Sequence, residues 1–455
     1  MNYAAVLLIG VIALPGGVLT PLRARDQSAP TRPPHGPVRA GGRAVADAAG
    51  PFNALGATLF WGAWGYKFDR PRLERNLQTL SAAGIDYVRV LGSVGGASWE
   101  DRETDPRWPD YDHIIAGMTD LAYDRYGMRV QWTLFGGAPF TASASSRTAL
   151  VERFAALARG REHKIFAFEI ANEAWQNGFR GAQGLSELRN LAARLNGMTG
   201  VLVALSSPQR DAACAMYAGA SADAMTLHYD RGFGNQGPIA PLLRPWSVPG
   251  AYDRSCPGAL PPVVFNNEPI GPESSVRQDD SPSRIAAAYV LTFLAGNASY
   301  VLHAGPGIRG GGAADSSPKL GRHAHFDELP SFTPIATALA AAKQYLPPGL
   351  ANWTRHAPDA ATAPLYGFNR LYSASNESGF VALAVGITQP IVLHARRGAS
   401  IDVRETSTGQ LVKHLNISSG ESVTLSGDES VALIGHFTAS GNSVGNLRVV
   451  HDPRP

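Results

Sequence analysis

Cysteine is nearly absent. Cys214 and Cys256 are the only two in 455 residues, too few for a structural zinc site, and no His-x-x-x-His pattern adds to them. In an oxidising compartment they could pair and pin the segments before the sixth and seventh strands drawn below. As two separate thiols they would carry no such meaning, and the sequence leaves both readings open. An excess of one charge is missing too. The formal net charge is +3 and there is no dense Lys/Arg run, so nothing argues for a nucleic-acid partner. Local basic spots such as Arg396-Arg397 read as solvated surface. A Gly-rich phosphate fingerprint is also lacking. The glycines of Gly92-Ser93-Val94-Gly95-Gly96 and of Gly310-Gly311-Gly312 have the wrong spacing and read as turns, which leaves a dinucleotide-binding sheet without support.

Charged residues make up only 17% of the chain and hydrophobic ones 44%, the composition of a globular protein with a sizeable core. The length suffices for one large domain and a smaller one. The 49 glycines and 33 prolines imply many loops. One long apolar run stands out, Ala4 to Leu19, followed by a polar, Pro-rich stretch. Residues 1–24 read as a secretory signal, although no Lys or Arg precedes the run and no clean small-x-small cleavage site follows it. Pro15, Gly16 and Gly17 disfavour a stable membrane-spanning helix. Export to a secreted or periplasmic location is favoured over retention by an N-terminal anchor, and no other integral membrane segment is expected.

Residues 25–50, rich in Pro, Arg, Ala and Gly, read as a flexible linker. From there to about 346 strand-like and helix-like segments alternate. The strands are Ala57–Trp61, Tyr87–Leu91, Arg129–Phe135, Ile165–Ala171, Val201–Ser206, Ala224–His228, Pro262–Asn267 and Ser299–His303. Amphipathic stretches lie between several of them, at Pro71–Ala83, Tyr111–Tyr126, Arg147–Arg159, Leu185–Leu195 and Ser283–Ala295, with Thr333–Tyr345 after the eighth strand. Eight such units predict a (β/α)8 TIM barrel over 51–346. After Pro347-Pro348 come short alternating runs, Leu365–Ser373, Phe380–Val385, Ile391–Ala395, Ser400–Glu405, Ser422–Leu425 and Val431–Phe437, separated by turn residues. They predict a small antiparallel β-sandwich over 347–440, with a tail at 441–455.

Two glutamates carry the functional reading. Glu173 follows the fourth strand in Phe168-Glu169-Ile170-Ala171-Asn172-Glu173-Ala174-Trp175, and Glu268 follows the seventh in Val263-Val264-Phe265-Asn266-Asn267-Glu268-Pro269. Carboxylates at the C-terminal ends of two barrel strands can face one another across a cleft. Such a pair at roughly 5–5.5 Å suits glycoside cleavage with retention, one as acid/base and the other as nucleophile. An isolated Glu after a strand is more often a surface residue or a helix N-terminal charge; two at matching strand ends are harder to dismiss. Glu169 shares the inward parity of Glu173 and is the first substitute should one assignment fail. Glu273 lies further into its loop.

Asn172-Glu173 ending strand four together with Glu268 ending strand seven resembles glycoside hydrolase clan A, with family 5-like or family 39-like features, over roughly residues 55–345. The resemblance implies a retaining β-glycosidase with Glu173 as acid/base and Glu268 as nucleophile. It implies that Arg89 is the buried arginine that keeps the nucleophile ionised and that Asn172 meets the sugar 2-hydroxyl. His228 and Tyr229 resemble the polar or aromatic pair beside the carboxylates, although family 5 commonly has one residue between them. At the end of strand eight, where many members carry Trp, this chain has His303. Trp64 and Trp175 are candidate sugar platforms, Trp61 and Trp132 weaker ones. No metal or organic cofactor is needed, the partner is an oligo- or polysaccharide, and a monomer is expected. The acidic loop from Trp99 to Asp112 fits no EF-hand spacing and reads as a solvated loop or lid rather than a calcium site. The alternative function is a catalytically silent carbohydrate-binding protein on the same scaffold.

Overall fold

Three runs, Tyr87–Ser93, Arg129–Phe135 and Ile165–Ala171, are buried along their whole length. Burial without alternation is what a parallel strand covered on both faces requires. In the computed structural model, which describes residues 34–96, 99, 101–208, 212–228, 256, 258–311, 322–426 and 429–438, eight such strands close into a parallel barrel. They are β4 (Ala54–Thr58), β5 (Tyr87–Ser93), β6 (Arg129–Phe135), β7 (Ile165–Ala171), β8 (Val203–Ala204), β9 (Ala224–Leu227), β10 (Val263–Asn266) and β11 (Ser299–Leu302). Each strand lies beside its neighbour in sequence, and β11 closes on β4.

The first strand lies three residues earlier than its apolar pattern suggests. The run from Ala54 to Trp61 holds no charged residue to mark its end, but its ladder ends where Thr58 pairs with Arg89. Leu59 to Trp61 then lead into helix α1 (Gly62–Phe68). Helix α2 (Arg70–Ala82) starts on Asp69, whose carboxylate accepts from the Arg72 amide, with Pro71 in the first turn. The remaining barrel helices are α3 (Tyr111–Asp120), α4 (Ala144–Ala158), α5 (Gly181–Asn196), a short α6 (Ala213–Tyr217), α7 (Pro282–Leu294), a single turn α8 (Gly305–Ile308) and α9 (Phe332–Tyr345).

Residues 39–52 are not linker. They form an antiparallel three-stranded sheet, β1 (Arg39–Gly41), β2 (Ala44–Asp47) and β3 (Gly50–Phe52). Val38, Val45 and Phe52 join Tyr87, Phe166, Val263 and Phe265 in one buried cluster at the strand N-termini. Tyr87 stacks on Phe166 with centroids 3.8 Å apart, and Phe166 meets Phe265 at 5.3 Å. A buried ion pair, Arg129 Nη2 to Asp47 Oδ2 at 2.9 Å, ties this plug to the barrel. With its floor filled and plugged, the barrel can present chemistry only at its C-terminal end.

The chain beyond Pro347-Pro348 forms the expected sandwich. One sheet has six strands in the order β12 (Thr354–His356), β14 (Leu371–Ser375), β15 (Gly379–Ile387), β20 (Glu429–Phe437), β17 (Ala399–Glu405) and β18 (Leu411–Ile417). The other has three, β13 (Leu365–Tyr366), β16 (Ile391–Ala395) and β19 (Ser422–Leu425). β15 alternates between two cores. Phe380, Ala382 and Ala384 face the sandwich interior, while Val381, Leu383 and Val385 join the barrel core. Helix α7 is buried throughout its second half between barrel and sandwich, and Ser283 at its start bonds Ser430 at 3.1 Å. Cys214 and Cys256 are joined in a disulfide. No helix among the described residues is long and apolar enough to cross a membrane; the apolar run from Ala4 to Leu19 lies outside them.

Candidate active site

The site is built on Arg89. Its place in the middle of β5 points it into the barrel, where it is fully buried. Its Nε and Nη2 donate to Glu169 Oε2 at 3.1 and 2.7 Å, and Nη1 donates to Glu268 Oε1 at 3.0 Å. Nη2 also donates to Asn172 Oδ1 at 2.8 Å. Burial works against the guanidinium charge, but Glu169 and then Glu268 outweigh it by charge and hydrogen bond, holding the arginine above its ordinary value. Because a guanidinium only donates, the Asn172 carbonyl must face it, and the amide NH2 is turned away as a donor.

Glu169 lies in the barrel interior, as its parity predicts. Thr133 Oγ1 donates to its Oε2 at 2.6 Å, alongside Arg89. It is the arginine's counter-ion, occupied by structural partners. Glu268 instead follows β10, whose ladder stops at Asn266. Strict alternation after Val263 and Phe265 would turn Asn267 inward and Glu268 outward. Released from the ladder, the chain brings both in: Asn267 Nδ2 reaches Glu169 at 3.5 Å and Glu268 meets Arg89.

Glu173 follows β7 with φ +43°, a left-handed backbone that non-glycine residues rarely adopt. The strain is held by its surroundings. The next amide, of Ala174, donates to Ser206 Oγ at 2.8 Å, and Asn177 Nδ2 donates back to the Asn172 carbonyl. Gln176 Nε2 donates to Glu173 Oε2. Backbone strain of this kind gathers at functional sites.

His228, at the end of β9, joins the two carboxylates. Its Nδ1 lies 3.2 Å from Glu173 Oε1 and 3.3 Å from Glu268 Oε2. One oxygen of each carboxylate and a ring nitrogen of His228 all lie within 4.8 Å of one another. All three side chains are at most 4% exposed. The backbone of β9 is fixed from below by Tyr217 in α6. Its hydroxyl accepts from the Ser206 and Thr226 amides and donates to the Ser206 carbonyl. Burial pushes that phenol up to about 12. These three groups are the one cluster among the described residues that could hold a metal ion. An ion there would sit beside the Arg89 guanidinium already bound to Glu268, whose charge would oppose it.

Of the other expected residues, His303 is fully buried below the cleft. Its Nδ1 bonds Thr58 Oγ1 and its Nε2 bonds Ser275 Oγ, both at 2.9 Å. Its ring meets Phe60 edge-on at 5.9 Å, and Phe60 in turn lies 5.1 Å from the Arg89 guanidinium. It thus supports Phe60 and Arg89 from the side. Trp175 is half-buried two residues beyond Glu173, with no ring contact to another aromatic among the described residues. Trp64 packs between Trp61, Phe68 and Arg102 on α1, and its described contacts do not include either carboxylate. Trp132 faces the helices, where its Nε1 donates to Thr119 Oγ1 at 3.0 Å. Tyr229 lies outside the described residues. Glu273 is also left-handed (φ +51°) but bonds His323 at 2.8 Å. The described carboxylates of the acidic loop are each taken by a separate donor: Asp101 by Arg102, Glu103 by the Gly96 amide, Asp105 by Arg107, Asp110 by Lys67 and Asp112 by Arg153.

No protein-family model matches the chain, and neither does any curated protein. Solved structures do. A protein described as a glycoside hydrolase superposes with a TM-score of 0.63 over 91% of this chain and 100% of its own, at 15% identity. Alpha-galactosidase I from Mortierella vinacea gives 0.50 over 86% and 98%, at 11% identity. The likeness is one of fold, barrel and appended β-domain together.

Proposed function

We propose that the chain is a retaining glycoside hydrolase of clan A type that cleaves a β-linked glycan. The observation that carries this reading is the pairing of Glu173 and Glu268 at the ends of β7 and β10, with oxygens within 4.8 Å of each other. An approach this short of one oxygen of each suits carboxyl groups at the retaining separation of roughly 5–5.5 Å better than the roughly 6.5–9.5 Å that leaves room for an attacking water. The environments of the two differ as the two roles demand. Glu268 meets a guanidinium, which favours a carboxylate able to attack the anomeric carbon. The described partners of Glu173 are the Gln176 amide and His228, a setting suited to an acid that gives its proton to the leaving oxygen and then activates water. The Asn172 amide, whose carbonyl is held by Arg89, would donate to a sugar hydroxyl. The disulfide fits an oxidising compartment, in keeping with export by the N-terminal apolar segment.

The silent-binding alternative has no use for a buried guanidinium clamped on one of two facing carboxylates. A leaving-group series separates the two readings. Glu173→Ala should lower kcat/KM about 10²–10⁴-fold for aryl glycosides with poor leaving groups and far less for good ones, and azide should restore turnover as the β-glycosyl azide. Binding of glycans by wild type without turnover of any glycoside would instead support the binding protein.

A further inference from the structure

Glu273 is strained and only half satisfied. It follows Glu268 in the loop after β10 and takes a left-handed backbone, φ +51°, that a glutamate rarely adopts. Its Oε1 bonds His323 Nδ1 at 2.8 Å, while its Oε2 is buried with no hydrogen-bond partner. Gly305 makes room for it, since a Cβ there would fall 2.5 Å from that oxygen. The loop is pinned on both sides: the Asp279 amide donates to the Gly271 carbonyl and the Gly305 amide to the Pro272 carbonyl, each at 3.0 Å. A pinned frame that holds a strained residue with an unmatched acceptor points to function rather than to folding.

Glu273 and His323 form one wall of a cavity of about 340 Å³, at the small end of the roughly 300–1,000 Å³ of small-ligand sites. Gln278 and Asp280 line it from the same loop, and Arg322 and Ser331 from the segment before α9. Leu329 and Pro330 give it a carbon face. Ser331 Oγ donates to Asp280 Oδ1 at 2.9 Å. Because α7 and α9 start at Pro282 and Phe332, these residues stand on the C-terminal face of the barrel, which also carries Glu173 and Glu268. Ser275 ties the loop to His303 below the cleft. The acids and the histidine do not converge as metal ligands would; among the described residues only Glu173, His228 and Glu268 do. Two carboxylates beside one guanidinium leave no excess of positive charge to draw an anion. Carboxylates, an amide, a guanidinium and a hydroxyl around a carbon face instead match a sugar ring, whose hydroxyls both donate and accept.

Resting on the reading above, we propose that this cavity is a remote subsite of the cleft that holds one uncharged glycosyl unit of the substrate chain, away from the bond that breaks. Ring hydroxyls donate to Asp280 and Glu273. The Glu273 side chain keeps 15% of its surface exposed, so a modest turn of its carboxylate brings the unmatched oxygen to a hydroxyl. The substrate is then a chain of several sugars rather than a simple glycoside.

The probes are cello-, xylo- and manno-oligosaccharides up to the hexasaccharide, with the aryl β-monoglycosides of the same sugars. Wild type, Glu273→Gln and Asp280→Ala are compared, with thermal unfolding as a check on folding. The readout is the ratio of kcat/KM on the longest substrate cleaved to kcat/KM on the shortest one of the same sugar. A general loss of folding or catalysis lowers both and leaves the ratio where it was. The proposal predicts a wild-type ratio above one that falls about tenfold in each variant, the cost of losing a hydrogen bond to a charge. If Glu273→Gln does not fold, Asp280→Ala, at an exposed position, still decides. An unchanged ratio in the variants, or a wild type that prefers the monoglycoside, overturns the proposal. A wild type that cleaves no probe would instead count against the proposed function itself. Calorimetric titration with the same hexasaccharides then judges the cavity: binding weakened about tenfold in the variants supports it, and equal binding or none overturns it.

Discussion

Arg89 is the residue on which the electrostatics of the cleft depend. Without it, Glu169 and Glu268 would be buried without their guanidinium. Arg89→Met should therefore cost about 3–5 kcal/mol of stability, measured by urea denaturation. Arg89→Lys should recover only part of that, because a point charge cannot serve Glu169, Glu268 and Asn172 from separate nitrogens. A loss below about 1 kcal/mol in the Met variant would mean the carboxylates are solvated rather than paired. Much of this residue-scale arrangement was legible in the chain. Glu173, Glu268, Asn172 and His228 stand just past strand ends and Arg89 within a strand, where motif or parity puts them, and the structure brings them together. What could not be read were relations set by three dimensions. Glu268 enters the cleft because a ladder stops at Asn266, not because of alternation. The support from Thr133, Ser206 and Tyr217 comes from ordinary residues in ordinary runs with no local signal. His303 and Trp64 carry the right chemistry, but the first is spent on Thr58 and Ser275 and the second on a helix surface.

At the scale of elements, the N-terminal sheet departs furthest from its sequence pattern. Its strands are three or four residues long, and a composition of Arg, Ala and Gly hides the Val38, Val45 and Phe52 that it buries. Phe52→Ala should cost about 3–5 kcal/mol, as an aromatic truncation in a core does, and should lower the unfolding midpoint of the whole barrel. A linker residue would cost no more than about 0.5 kcal/mol, and that result would contradict the plug. The longer barrel strands were legible because burial on both faces leaves uninterrupted apolar runs. β18 was not, since an exposed edge strand carrying Lys413 and His414 lacks the alternation that marks a half-buried strand. β13 and β14 read as one strand because the break between them, at Gly367 with φ +107°, is a backbone event inside a continuous pattern.

Over the whole molecule, barrel and sandwich share a core through α7 and β15, and the disulfide closes a separation of 42 residues around β9. Removing it in a Cys214→Ser, Cys256→Ser variant should lower stability by about 2–4 kcal/mol. Wild type should lose the same amount in reductant and the variant nothing. An unchanged wild-type midpoint in reductant would show that the bond does not constrain the fold. The catalytic claim that all these parts serve is double displacement on Glu268. It is tested most directly by mass spectrometry of the intact and proteolysed protein after incubation with activated 2-fluoro β-glycosides of several sugars. The account predicts a stoichiometric glycosyl adduct on the peptide carrying Glu268, with the sugar that labels naming the substrate. An adduct on another carboxylate, or hydrolysis that proceeds with inversion and leaves no adduct, would contradict it.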